Sequence, residues 1–478
     1  MTVDLAALSL AEATAGMARR DFRAEQLVDA CLARIARDDP AVNAFIWSDG
    51  QAALEAARAV DLSRAAGAPL SPLSGIPLAH KDMFANSGRL ATCGSSIRAD
   101  HRPDGRATAL ARLDDAGAIT LGGLNMSEFA QGPTGHNPHF GDCRNPWNSA
   151  HISGGSSSGS GAAVAARMVF GSLGSDTGGS VRIPAACCSV TGLKPTWSRV
   201  SRHGAMPLSF SMDCVGPLAR NAADCAILLQ AIAGADAADA TASARPVPDY
   251  RAALTGDLRS LRIGLPRNGF ARDVDDAVQA AFEAALAVLI ARGASLHPID
   301  LPAMDAVTAC SAVVSRVELA ACHAQWMRER PGDYAASVSG RIWPNYAIPG
   351  ALYVEALRRR ASVLADFAGP VFSAVDLIAT PTIPKMIPTR AETDVGSGAE
   401  GVVQRFLSPS VNTRPFSYLG LPAISVPCGF DPRGLPIGLQ LAGRPFSEAR
   451  LLRAADALQR DTDWHCRVPV PGRLDEDV

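Results

Sequence analysis

The chain has 478 residues, 47% of them hydrophobic and 19% charged, and its formal net charge at pH 7 is −2. A chain of this length can bury a large core in one α/β unit or in two or three average domains. The near-zero net charge argues against a broad surface for nucleic acid or for an anionic membrane. The sequence shows neither a long uncharged apolar run nor a basic leader segment, and we expect a cytoplasmic protein that does not bind membranes.

The first seventy residues have the apolar spacing of amphipathic helices. Apolar side chains recur at intervals of three and four residues over 8–15, 24–36 and 51–65, and this period is typical of helices with one buried face. We therefore predict that residues 1–70 form an N-terminal helical wrap around a core built from later segments.

From residue 75 onward, short apolar strands alternate with helices. Strand patterns occur at residues 118–121 and 170–173, and helical patterns occur at 107–115 and 161–169. Such alternation is typical of a sheet that is covered by helices on both faces. The sequence therefore predicts an α/β fold with a single large mixed β-sheet at its core.

The second half of the chain continues this pattern beyond a polar stretch at residues 234–249. The predicted strands there are 261–264, 377–380, 423–427 and 437–442, and the predicted helices are 274–291, 354–367 and 447–459. Residues 389–401 have the composition of a surface loop. We assign residues 71–235 to the core and residues 256–478 to a C-terminal half that completes the same sheet and the substrate pocket, in one compact domain.

A run of serine and glycine from Ser153 to Gly161 leads directly into an apolar helical segment. A flexible linker would not lie inside a core, so these small residues indicate close backbone approach at a site. The run contains a G-x-S-x-G pattern with Ser157 as its serine, but no apolar strand precedes it, as a nucleophile elbow requires. A phosphate-binding loop is disfavoured because the run contains no lysine.

Lysine is rare in this chain. Only Lys81, Lys194 and Lys385 are lysines among the 45 basic residues. A buried lysine can be neutral near pH 7 and accept a proton, which arginine cannot do in a protein. Each of the three is therefore a candidate base. The pair His136 and His139 lies in a Pro- and Gly-rich loop without a cysteine cluster, and we predict no metal there.

Four motifs occur together along the chain. They are Gly-Ile-Pro-Leu-Ala-His-Lys-Asp at residues 75–82, the Ser/Gly run at 154–161, Asp-Thr-Gly-Gly-Ser at 176–180 and Gly-Leu-Lys-Pro-Thr at 192–196. In order and spacing they resemble the amidase signature family of serine hydrolases. The resemblance covers most of the chain and includes the segments 144–147, 215–220 and 434–440.

The resemblance implies a catalytic triad in which Ser180 is the nucleophile, Ser156 is a bridging serine on a cis peptide bond and Lys81 is the base. An isolated serine hydroxyl is a poor nucleophile and needs an acceptor for its proton. Ser156 would accept that proton while donating its own to a neutral Lys81, because a hydroxyl can donate and accept at once.

Residues next to the triad receive supporting roles from the same resemblance. Backbone N–H groups of Thr177, Gly178 and Gly179 would form the oxyanion hole of the tetrahedral intermediate. Ser157 either hydrogen-bonds within the proton relay or satisfies the loop backbone. Asp176 either orients the site or caps the loop.

The substrate contacts implied by the resemblance are Gln131 and Gly132, in a loop that lines the acyl pocket of the family. The chain departs from the family at Ser153, where proline is frequent, and at His80, where a small apolar residue is common. Neither change removes a catalytic group. We expect His80 to alter the surroundings of the neighbouring lysine, and Lys194 and Lys385 to be ordinary lysines.

The resemblance implies hydrolysis of a carbon–nitrogen bond in a small linear amide through an acyl-enzyme, with no cofactor and no metal. Esters and carbamates present the same carbonyl to the nucleophile. As partners we expect a small-molecule amide substrate, no nucleic acid and a second copy in a homodimer. The alternative is a glutaminase-type A subunit of a tRNA-dependent amidotransferase, which releases ammonia for a partner protein. We disfavour a catalytically inactive binding protein because all three relay groups are present.

Overall fold

The computed structural model describes residues 4–270 and 273–472. Its α-helices are α1 (Leu10–Arg19), α2 (Ala24–Val42), α3 (Gly50–Ala65), α4 (Thr108–Asp115), α5 (Ser158–Ala165), α6 (Arg182–Cys188), α7 (Ala222–Ile232), α8 (Asp276–Ala291), α9 (Met304–Glu329), α10 (Ala336–Ile342), α11 (Gly350–Ala374), α12 (Val402–Leu407), α13 (Arg414–Tyr418) and α14 (Glu448–Arg460). Its strands are β1 (Phe45–Ser48), β2 (Pro77–Lys81), β3 (Ile119–Leu124), β4 (Gly171–Asp176), β5 (Thr191–Lys194), β6 (Cys214–Ala219), β7 (Arg262–Pro266), β8 (Ser295–Ile299), β9 (Leu377–Pro381), β10 (Ala423–Phe430) and β11 (Pro436–Gly443). None of the described helices combines the length and the apolar character that a membrane span needs.

Eight of the strands form one mixed sheet in the order β4-β6-β5-β10-β11-β9-β7-β8. The pairs from β4 to β9 are antiparallel, and the pairs that β7 makes with β9 and β8 are parallel. The other three strands form a small sheet, in which β3 lies between β1 and β2. The fold-class prediction of an α/β protein around one large mixed sheet is confirmed, and the structure adds the small sheet.

Helices cover both faces of the large sheet. Gly438 and Gln440 on β11 face α6, since a Cβ on Gly438 would contact Ala186 and Gln440 accepts a hydrogen bond from Arg182. Successive side chains of a strand point to opposite faces, so Leu439 points to the other side, where α8 and α14 pack against β10 and β11. The small residues of β11 thus allow α6, which follows the Asp-Thr-Gly-Gly-Ser motif, to lie close to the sheet.

The structure differs from the sequence prediction in two elements that matter for the site. The strand β1 interrupts the N-terminal segment that we predicted as helical, and it pairs with β3. Four residues are too few to show a strand period between two helices. The long helix α9 was also not predicted, because its polar and apolar residues do not separate clearly into two faces. The three-segment division at residues 70, 235 and 256 stays a prediction.

Candidate active site

Lys81 is the last residue of β2, and only 1% of its surface is exposed. Its Nζ lies 2.7 Å from Ser156 Oγ and 2.8 Å from Ser175 Oγ. Burial lowers the pKa of Lys81 to about 7, and the negative charges of Asp213 and Asp176 oppose this shift. A large fraction of Lys81 is therefore neutral near pH 7, which is the state that a general base needs.

Ser156 lies just before α5, after a cis peptide bond to Gly155. The side chain of Ser156 is completely buried, and its backbone carbonyl accepts a hydrogen bond from the Ser127 N–H at 3.2 Å. A Cβ on Gly155 would lie 2.7 Å from the carbonyl oxygen of Gly132. Glycine is therefore required at position 155 for the two loops to approach this closely.

Ser180 lies in the turn between β4 and α6 and is partly exposed. Its carbonyl accepts a hydrogen bond from the Ser157 N–H at 3.2 Å, which fixes this turn beside the Ser156 loop. Among the described residues, no hydrogen bond joins Ser180 Oγ to Ser156 Oγ. Catalytic hydrogen bonds are often long without substrate and shorten when it binds. The Ser157 hydroxyl donates to the backbone carbonyl of Ser175 at 3.3 Å, so it satisfies the loop backbone.

Asp176 ends β4 and forms a buried ion pair with Arg182, which is 0% exposed. Two guanidinium nitrogens donate to its carboxylate, each at 2.9 Å. Burial alone would raise the pKa of Asp176, but the charge and hydrogen bonds of Arg182 hold it below its ordinary value. The same guanidinium donates to Gln440 Oε1 at 2.6 Å and to Ser417 Oγ at 2.9 Å. Arg182 thus fastens the Ser180 turn to β11 and α13.

The backbone N–H groups of the turn differ in whether they are already bonded. The Gly179 N–H donates to Asp176 Oδ1 at 2.8 Å, so the structure does not leave it free for an oxyanion. Within the described part of the chain, the N–H groups of Thr177, Gly178 and Ser180 have no acceptor. An oxyanion hole made from this turn would therefore have those three donors available, and the assignment of Thr177, Gly178 and Gly179 stays a prediction.

Gln131 and Gly132 lie on the other side of the Ser156 loop. Ser127 Oγ donates to the Gly132 carbonyl at 3.2 Å, and Arg341 donates to the Gln131 carbonyl at 2.7 Å. The Gln131 side-chain nitrogen is buried and has no partner in the described chain. Gln131 also lines a cavity of about 660 Å³ together with Arg341 and Phe406. An unpaired buried donor beside a cavity is available to a ligand.

His80 joins the small sheet to the large one. Its buried ring accepts a hydrogen bond on Nδ1 from the Leu173 N–H at 3.1 Å. Burial lowers the pKa of His80 to about 3, so the ring is neutral at pH 7 and can accept on that nitrogen. A second bond between the sheets runs from the Phe170 N–H to the Pro77 carbonyl at 3.1 Å. His80, where the family commonly has a small apolar residue, therefore adds a hydrogen bond between the two sheets directly before Lys81.

The other candidate bases and the two candidate metal ligands form no described hydrogen bond with the predicted triad. Lys194 is buried at the end of β5, and Lys385 forms ion pairs with Asp273 and Asp275. The two histidines of the Pro- and Gly-rich loop pair with carboxylates, His136 with Asp142 and His139 with Glu128.

Two residues of the site were not identified from the sequence. Ser175 Oγ accepts a second hydrogen bond from Lys81, and its position directly before the Asp-Thr-Gly-Gly-Ser motif is the signal that could have found it. Arg182 lies in an otherwise uncharged helix, and a lone charge in a buried helix predicts a buried ion pair.

Comparison with known proteins identifies the family. A sequence profile of the Amidase family matches residues 26–452. The chain belongs to the amidase signature family. It is 42% identical to the A subunit of glutamyl-tRNA(Gln) amidotransferase from Roseiflexus sp. strain RS-1, over 97% of this chain and 98% of that protein.

Two solved structures of family members are similar to the whole chain. The A subunit of glutamyl-tRNA(Gln) amidotransferase from Thermotoga maritima has 30% identity and a TM-score of 0.83, with 98% of this chain and 99% of that chain covered. The peptide amidase from Stenotrophomonas maltophilia has 31% identity and a TM-score of 0.83, with 98% of each chain covered. The chain is therefore a hydrolase-type amidase by family, and its relatives include both a peptide amidase and a protein named as one subunit of a larger enzyme.

This similarity contradicts the expected partners. We expected a small-molecule amide substrate, no nucleic acid and only a second copy of the chain, but a relative of 42% identity over nearly the whole length is named as a subunit of an enzyme for a tRNA. The expectation was wrong because it used the net charge of one chain. One member of a complex needs no basic surface of its own when another member contacts the nucleic acid.

Proposed function

We propose that this chain is the amide-hydrolysing A subunit of a tRNA-dependent amidotransferase, and that it releases ammonia from the side-chain amide of glutamine. Two kinds of observation support this. The likeness to amidotransferase A subunits extends over 97% of the chain. The single observation that supports the proposed proton relay is the 2.7 Å distance between Lys81 Nζ and Ser156 Oγ.

In the proposed reaction, Ser180 Oγ attacks the amide carbon and forms a carbon–oxygen bond. Its proton passes to Ser156 Oγ, and the Ser156 proton passes to neutral Lys81. The N–H groups of Gly178 and its neighbours would stabilise the negative oxygen that develops. Ammonia leaves after protonation by the reverse relay, and water then cleaves the acyl-enzyme.

The test is ammonia release from glutamine by the full chain alone and by the complex isolated with it from its source cells. We expect glutamyl-tRNA to increase ammonia release by the complex and to be converted to glutaminyl-tRNA. A complex that carries Ser180→Ala should assemble without releasing ammonia. If glutamyl-tRNA leaves ammonia release unchanged and no glutaminyl-tRNA forms, the amidotransferase function is wrong.

A second candidate is an amidase that acts on linear amides, esters or carbamates without a transfer step. The likeness to a peptide amidase, at 31% identity over 98% of the chain, favours this candidate. Turnover of such substrates by the chain alone, at a rate that glutamyl-tRNA does not change, would support it over the first.

A further inference from the structure

Three arginines without an acidic partner act electrostatically on one another, and one of them, Arg414, lies beside the Ser180 turn. They are Arg414 at the start of α13, Arg316 on α9 and Arg341 on α10. In the chain as described, none of the three forms an ion pair. Arg414 and Arg316 are solvent-exposed and Arg341 is half-buried, so their charges are accessible to an anionic ligand.

Arg414 is the member nearest to the reacting centre. A Cβ on Gly178 would lie 3.4 Å from Arg414 Cγ and 3.9 Å from its Nε. The preceding residue, Thr413, donates its hydroxyl to the Gly178 carbonyl at 2.6 Å and accepts on its own carbonyl from Arg182 at 2.9 Å. The backbone of Arg414 is thus fixed to the turn that contains Ser180.

The Arg414 side chain is exposed to solvent, although many protein atoms lie around it. No hydrogen bond from its guanidinium is found within residues 4–270 and 273–472. Burial lowers the pKa of Arg414, and the positive charge of Arg316 lowers it further. Arginine nevertheless remains protonated at pH 7. A charged guanidinium without a partner in the described chain therefore lies beside the Ser180 turn.

Arg341 extends the positive charge toward the predicted substrate contacts. Burial lowers the pKa of Arg341 to about 10, Glu128 opposes this, and Arg414 adds to it. Its nitrogens are held by the carbonyls of Ser337 and Gln131. Glu128 is the acidic group whose charge raises the pKa of Arg341. Its oxygens already accept hydrogen bonds from Ser95 Oγ and the Ala335 N–H.

We propose that Arg414 binds a carboxylate on the acyl side of the substrate. A guanidinium holds a carboxylate through two parallel hydrogen bonds, which also fixes its orientation. This inference rests on Ser180 as the reacting serine of the proposed function. Glutamine and glutaramate both carry such a carboxylate, and a comparison of the two measures the effect of an ammonium group beside it.

The experiment measures how well small amides protect the full chain from labelling by a fluorophosphonate serine probe. The four ligands have similar length: glutaramate with a carboxylate, 4-aminobutanamide with an ammonium, glutamine with both and pentanamide with neither. Glutaramate should protect at a lower concentration than pentanamide or 4-aminobutanamide. In Arg414→Gln its half-protecting concentration should rise about 10- to 100-fold, as expected for loss of charge-assisted hydrogen bonds, while that of pentanamide changes by about twofold or less.

Two variants serve as controls. Arg414→Lys keeps the charge without the fork and should recover part of the glutaramate protection. Arg328→Gln removes an exposed arginine from α9, about three helical turns beyond Arg316, and should leave all four ligands unchanged. Equal losses for glutaramate and pentanamide in Arg414→Gln would overturn the proposal.

A measurement on the unchanged chain keeps the test independent of variant folding. Raising the salt concentration from about 0.05 M to about 0.5 M should weaken protection by glutaramate and not by pentanamide, since salt screens a charge pair. No preference for glutaramate over pentanamide in low salt overturns the inference. Failure of glutamine to release ammonia while glutaramate still protects would instead reject only the glutaminase function.

Discussion

Lys81 and Lys194 are both buried at the end of a strand, and their surroundings differ. Burial lowers the pKa of each. Lys81 contacts the hydroxyls of Ser156 and Ser175. Lys194 instead contacts the carbonyl of Pro195 at 3.0 Å and the Sγ of Cys214 at 3.6 Å. Burial alone produces a lysine that can lose its proton, but of the two only Lys81 contacts a serine in the loop that is bonded to the Ser180 turn.

We expect the largest effect when each of the two lysines is replaced and the activities of the two variants are compared. We expect Lys81→Met to lower kcat/KM by about 10³-fold or more, because general-base catalysis is lost. The matched variant Lys194→Met should change kcat/KM by about threefold or less. Amide turnover at pH 7 provides the measurement, with circular dichroism to show that both variants fold. Near-normal turnover by Lys81→Met would disprove the relay.

The next effect is the pH dependence of the enzyme with both lysines in place. Because Lys81 has a pKa of about 7 and must be neutral to act, kcat/KM should fall about tenfold for each pH unit below that value. Lys194→Met should show the same profile. A profile that is flat between pH 5 and pH 7 in the parent would exclude Lys81 as the base, and a changed midpoint in Lys194→Met would show that the two lysines are coupled.

A smaller effect is expected at Ser175, whose hydroxyl accepts a hydrogen bond from Lys81. Ser175→Ala should lower kcat/KM about tenfold, since the amine loses one of its two fixed contacts. Its oxygen also stabilises the charged form of Lys81, so its loss should move the pH midpoint downward. A full pH–rate profile distinguishes this positioning role from a merely structural one, which would leave the midpoint unchanged.

The smallest effect concerns stability. Below the lowered folded-state pKa, burying charged Lys194 costs free energy, and this cost disappears as pH rises toward the unfolded value. Lys194→Met removes the cost, so the variant should be as stable as the parent or more stable by about 1–3 kcal/mol at pH 7. The gain should shrink as pH approaches 10. Urea unfolding at several pH values measures it, and a gain that grows with pH would contradict the assignment.

The sequence could predict those parts of the site that lie in local motifs. Lys81, Ser156 and Ser180 each lie in a short pattern, and the alternation of strands and helices indicated the α/β class. The contacts of Arg182 could not be predicted, because Gln440 lies 258 residues away and is brought near only by the sheet. The same holds for Arg414, whose neighbour Gly178 belongs to a different half of the chain.

The sequence also could not show which of the predicted N–H donors are already bonded to another group. The pattern Gly-Gly-Ser indicates a turn whose donors are free, but Asp176 takes the Gly179 N–H. Which donor a nearby carboxylate binds depends on the backbone angles of the turn, and those angles follow from the packing of α6 against the sheet.

The base and the nucleophile are carried by different sheets. Lys81 ends a strand of the small sheet, while Ser180 follows β4 of the large one, and the hydrogen bonds at His80 and Pro77 join the two. A separation of one or two ångströms along this seam would disconnect the proton relay, and the core packing across the seam, which includes Leu78 and Leu173, opposes such a separation. The relay and the shared core therefore depend on the same junction, so heating should abolish turnover in the transition that unfolds both sheets.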